Sequence, residues 1–111
     1  MAAGIGRQVA AITTATTTVI LTAPASGDFK RVARGMISIR NKGAASNTIT
    51  LQMDVSATNY EIAEITLAAD EQWTNGSGSP RDIVLTSTDA LEIVTSSTSA
   101  IDVVISYLEL T

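Results

Sequence analysis

Cysteine and histidine are both absent from the chain. Without cysteine there is no disulfide and no thiolate metal site, and the redox compartment leaves no trace in the sequence. Without histidine the familiar nucleophile and base pairs are missing, and a zinc site would have to be all carboxylate. Aromatics are scarce: Phe29, Tyr60, Trp73 and Tyr107 are the four, too few to line the cleft in which paired catalytic carboxylates usually work. No apolar run approaches the roughly twenty residues that a membrane-spanning helix needs. The start of the chain also lacks a charged segment leading into a clean apolar one. These absences predict a soluble, unprocessed protein with no cofactor, no metal and no membrane partner, and they argue against an enzyme.

What is present fits a sheet. A chain of 111 residues has room for one domain with one ordinary core. Its apolar residues are mostly Val, Ile, Leu and Ala, and roughly a quarter of the chain is Ser or Thr. Thr with Val and Ile suits a pleated, half-buried surface.

The net charge of −4 opposes a nucleic-acid partner, because phosphate binding rests on clustered Lys and Arg. Its distribution says more than its sum. Lys30, Arg31, Arg34, Arg40 and Lys42 are five of the seven basic residues, while ten of the eleven acidic ones lie from Asp54 onward. Two readings follow: a basic strand whose charges face water, or complementary subunit faces that set the register of an assembly.

Residues 1–16, rich in Ala, Gly and Thr, show no sustained periodicity and read as a flexible terminus or an arm that orders on a neighbour. The sandwich domain is then 17–111. The run TTVILTA predicts a strand ended by Pro24, and Phe29 to Asn41 a long strand with a bulge at Gly35. Ile49, Leu51, Met53 and Val55 alternate with polar residues, the clearest strand in the chain. Tyr60 to Leu67 reads as a strand whose register slips between Ile62 and Ile65, with a helical turn as the competing reading. Short strands follow around Trp73, at Ile83 to Leu85 and at Ala90 to Thr95. The last, Ala100 to Leu110, carries Ile101, Val103, Ile105 and Tyr107 on one face and Leu108 and Leu110 on the other. Eight or nine short strands joined by Gly, Pro, Ser and Asn turns predict an all-β, antiparallel β-sandwich of the jelly-roll or Greek-key kind.

Local signals for chemistry are weak. Glu61 with Glu64, and Asp70 with Glu71, read as solvated carboxylates. No calcium-loop spacing surrounds Asp28, Asp89 or Asp102. Gly4-Ile5-Gly6-Arg7 does not follow a strand as a phosphate loop would. Asn75-Gly76-Ser77 matches a glycosylation acceptor but is better read as turn chemistry within NGSGSP. Trp73 is a core residue or an interface anchor. Leu108 and Leu110 form an exposed apolar patch if only the other face of the last strand is covered.

The segments ATTTVILTAPASG, MISIRNKGAASNTITLQM, LAADEQWT and LTSTDALEIVTSSTSAIDVVISYLEL resemble small β-sandwich structural proteins of tailed bacteriophages. The likeness runs from about Thr13 onward. It implies a non-enzymatic virion protein, most naturally a capsid decoration (cement) protein that stabilises the lattice through its N-terminal arm and sandwich edges. Its partner would be the major capsid protein, its state a homo-oligomer with a trimer favoured, and its place the virion, assembled in the host cytoplasm. A tail, neck or fibre component with receptor or glycan binding at the NGSGSP and NKGAASN loops is the alternative. The candidate interface set is Arg7, Lys30, Arg31, Arg34, Arg40, Lys42, Trp73, Leu108 and Leu110.

Overall fold

A computed structural model describes residues 3–76 and 82–111, and within them the chain is all strand and turn. The strands are β1 (Ala3–Ile12), β2 (Thr17–Leu21), β3 (Phe29–Val32), β4 (Ile37–Asn41), β5 (Asn47–Val55), β6 (Thr58–Leu67), β7 (Gln72–Thr74), β8 (Ile83–Leu85), β9 (Asp89–Thr95) and β10 (Ile101–Leu110). They form a six-stranded and a four-stranded antiparallel sheet.

The four-stranded sheet runs β2-β9-β5-β6. In the other sheet, β10 is flanked on one side by β1 along all ten positions, Ala3↔Leu110 to Ile12↔Ile101. On its other side β4 covers Ile101 to Ile105 and β3 covers Leu108 to Leu110, with β7 beyond β4 and β8 beyond β3. Counting β3 with β4 and β7 with β8 as single broken strands leaves two four-strand layers, the jelly-roll arrangement.

Two expectations about strand number change. The long strand over 29–41 is two, because Met36 N–H closes a turn on the Ala33 carbonyl (3.1 Å) and Gly35 takes φ +77°. A side chain rarely tolerates that backbone, so glycine marks the break. In the single chain, residues 3–12 do not stand off as an arm; they are the full-length strand β1. Gly6 permits this fit, since a Cβ there would lie 2.3 Å from the Tyr107 ring. The register slip in β6 is present: Leu51 opposes Ala63 and Gln52 opposes Glu61, so Ile62 is skipped.

The core lies between the sheets and is aliphatic, as the composition predicts. Ile37, Ile39, Ile101, Val103 and Ile105 of one layer meet Ile49, Leu51, Leu91 and Ile93 of the other, all buried. Trp73 and Tyr107 pack at its margin. Three buried asparagines fix the connections. The Asn41 amide donates to the carbonyls of Ala45 (2.7 Å) and Leu67 (3.0 Å) and accepts from Gly43 N–H and the Ser99 hydroxyl. Asn47 donates to Ser97 and Ser99 carbonyls and accepts from Ser96 N–H (3.0 Å). Asn75 accepts from Ile37 N–H (2.9 Å) and donates to the Ala33 carbonyl, which bridges the β3–β4 turn.

Candidate assembly surfaces

Strand alternation decides which side chains each sheet turns outward. In β3, Phe29 and Arg31 face out while Lys30 and Val32 face in. Lys30 is therefore 7 % exposed. Its ammonium donates to the Thr22 carbonyl (3.0 Å) and stands 5.0 Å from the centre of the Tyr107 ring. It is engaged inside the chain and presents no charge to a partner.

The other cations of the basic segment do reach the surface, each beside an acceptor. Arg31 Nε donates to Asp82 (3.0 Å), and that guanidinium holds the Asp82 carboxyl below its usual value of 3.8. Arg40 stands 3.8 Å from Asp70, Lys42 3.1 Å from Asp102, and Arg34 contacts the Gly76 carbonyl (3.4 Å). These exposed pairs contribute little to stability, but they neutralise the basic segment within the chain. Arg7, on the outward side of β1, meets no carboxylate among the described residues.

The same outward face carries apolar rows. Ile5 lies beside Leu108, Leu108 beside Arg31, and Arg31 beside Val84. Val9 lies beside Val104, and Leu110 beside Phe29. Ile5 is 87 % and Val9 65 % exposed; Leu108 and Leu110 are half-buried. Apolar surface of this kind on a small fold is a candidate contact surface, and here the Arg7–Ser106 pair lies between its Ile5–Leu108 and Val9–Val104 pairs. Arg7, Arg31, Arg40, Leu108 and Leu110 share the face; Trp73, opposite Ile39, turns inward to the core.

The four-stranded sheet is different. No Lys or Arg occurs in β2, β5, β6 or β9. Glu61, Glu64 and Glu92 face outward, opposite Gln52 and Thr50. Among the described residues no cation pairs with them; Glu92 accepts from the Gln52 amide (2.9 Å). This acidic face was hidden in the sequence, because its members come from separate strands. The alternation of Glu64 with Ile65 and of Glu92 with Ile93 was the available signal.

Among the described residues no three His, Cys, Asp or Glu groups approach as metal ligands, no pocket opens, and no helix is long and apolar enough to cross a membrane. The Asn75 side chain is buried and bonded on both polar atoms, so turn chemistry is its role. Most of NGSGSP lies outside the described residues.

No known protein family and no curated protein matches the chain. Solved structures do. A Bacillus endospore appendage protein, of a family of disulfide-linked pili, matches at TM-score 0.54 with 12 % identity over 100 % of this chain and 91 % of that one. The core of a Drosophila nucleoplasmin-like protein, studied for pentamer formation and histone binding, matches at TM-score 0.55 with 9 % identity over 97 % and 98 %. The nucleoplasmin-like N-terminal domain of Drosophila FKBP39 gives 0.52 with 10 % identity over 94 % and 88 %. At such identities the likeness is one of fold.

Proposed function

We propose that this chain is a non-enzymatic structural subunit of a virion, and within it a capsid decoration protein that binds the lattice of the major capsid protein. The outward face of the six-stranded sheet carries the reading: Ile5 beside Leu108 and Val9 beside Val104 stand on a strand pair that no layer covers among the described residues. Burying them on a partner would gain roughly 25 cal/mol for each Å² of apolar surface covered. Arg31 and Arg40 on the same face are already paired in the chain, which lowers the cost of removing water from them, and Arg7 is left to meet an acid of the partner. The sequence resemblance supplies the virion. The fold is compatible with repeated assembly, since it is shared with a pilus protein and with a core studied for pentamer formation. The resemblance implies a trimer, whereas the nucleoplasmin-like core was studied for pentamer formation, and the copy number is read from sedimentation of the purified protein.

The receptor-binding alternative loses ground at NKGAASN, where buried Asn41 and Asn47 pin both ends of the loop. The test is to add purified protein to capsids that lack it, then follow cosedimentation and cryo-electron microscopy density. Wild type should decorate the shell, and Leu108→Asp should remain folded but stay in the supernatant. Density confined to the tail would overturn the capsid placement in favour of a tail, neck or fibre component.

A further inference from the structure

A sandwich has open edges, and this one treats them unequally. β7 and β8 are three residues each, and β2 is five residues with a register shift between Val19 and Leu21. Short and irregular edges resist pairing with another chain. β1 and β6 are ten residues each and pair on one side only, β1 with β10 and β6 with β5. β6 has an irregularity of its own at the skipped Ile62, so its length and not its regularity sets it apart from β2. An edge of that length extends about 34 Å. β1 has no proline and no register shift, and its single charge is Arg7.

The two long edges are complementary. Arg7 lacks an acidic partner, and Glu61 and Glu64 lack a basic one, among the described residues. All three side chains are exposed and outward. The edges also sit on opposite sides of the molecule, since β1 lies against β2 and β6 against β7. We propose that copies of this chain join head to tail, the free edge of β1 in one copy pairing with the free edge of β6 in the next, with Arg7 set against Glu61 and Glu64 of that neighbour.

The geometry fixes the operation. For Arg7 and the two glutamates to share one face, the next copy must be turned over about an axis perpendicular to the strands. β1 and β2 are joined by only residues 13–16 and so run in opposite directions. Following the antiparallel ladders round, β6 runs the same way as β1. Turning the neighbour over reverses its β6, so the two edges meet antiparallel. The contact is heterologous, and its repetition about that axis gives an open series instead of a closed ring. Glutamates on β6 repel other acidic edges, while β1 is the edge they admit. An open series suits a fibre better than a cap on a lattice axis, so the result also bears on where in a virion the subunit belongs. The inference rests on reading the chain as an assembly subunit and does not depend on the capsid as its partner.

Association is measured by light scattering and sedimentation over a range of protein and salt concentrations. Wild type should associate, and less so at high salt. Arg7→Glu alone, and Glu61→Lys with Glu64→Lys, should each weaken association about tenfold or more, because like charges then face each other. An equimolar mixture of the two variants should recover it, as should one chain carrying all three changes. The positions are exposed, and unchanged circular dichroism would confirm that each variant folds. Association that ignores Arg7→Glu, or a mixture that fails to recover, overturns the pairing. A wild type that stays monomeric throughout also overturns it, yet leaves capsid binding standing, because that is read on particles.

Discussion

The two sheets share one core and differ in almost everything they show to water. The outward face of the six-stranded sheet mixes valine, isoleucine and leucine with cations, most already beside an acid. The other face is threonine and glutamate without a cation. The contrast comes from topology acting on a linear pattern. The basic run over 29–41 becomes β3 and β4, which the jelly roll assigns to one layer. The acidic stretches become β5, β6 and β9, which it assigns to the other. A gradient along the chain thus becomes a difference between faces, the form in which it can orient one copy against another.

Uncoupling the layers should have the largest effect. Asn41 stands in the six-stranded sheet, yet it holds the Leu67 carbonyl of β6 and the Ser99 hydroxyl ahead of β10. In Asn41→Ala the buried Leu67 carbonyl and the half-buried Ser99 hydroxyl lose their partners, at about 3 kcal/mol. Urea unfolding should show a lower midpoint with an unchanged slope. A loss under 1 kcal/mol would mean that water replaces the amide and that the layers are held by apolar packing alone.

Removing one strand tests the difference between faces more narrowly. β1 places only Ile12 fully in the core and turns Ile5 and Val9 outward. A chain starting at residue 13 should therefore stay folded but lose more than the roughly 2 kcal/mol of one buried isoleucine, because β10 also loses its β1 ladder and Tyr107 its cover at Gly6. Residues 14–16 remain tied to β9, since the Thr95 hydroxyl donates to the Thr14 carbonyl (2.7 Å). The same truncation should weaken assembly strongly, because it removes Ile5 and Val9 from the apolar rows together with the Arg7 edge. Particle binding and association as strong as those of the full chain would show that the other sheet makes the contacts.

Much of the fold was legible because alternation in β5, β9 and β10 is clean and the core residues are aliphatic. The skipped Ile62 was legible for the same reason, as a break in period 2. β1 was not, because its inward positions are Gly4, Gly6, Gln8 and Ala10, and only the Tyr107 ring that lies over Gly6 explains them. The β5–β6 hairpin also lacked its usual signal: Ser56 and Ala57 take φ 50° and 68° without glycine. Among the candidate surface residues, Arg7, Leu108 and Leu110 fell on one face as strand parity allows. Lys30 did not, because a run of neighbouring charges does not reveal that every second one points inward. The glutamates opposite were missed because solvated carboxylates gain meaning only when other strands align them.

The smallest effect concerns the ion pairs that neutralise the six-stranded face. Asp82 is held below 3.8 chiefly by the hydrogen bond from Arg31, with the Arg31 charge adding and partial desolvation opposing. A carboxyl with a depressed folded value stabilises the fold above its unfolded value, and that contribution is lost as pH falls through the folded one. Asp82→Asn should therefore melt slightly below wild type at neutral pH. The gap should narrow once pH drops under 3.8 and close at lower pH. Glu64→Gln, from the sheet without cations, removes no ion pair and should show no such gap. A constant difference between wild type and Asp82→Asn across that range would mean that the asparagine disturbs the start of β8 itself, and that the basic face owes nothing measurable to its own acids.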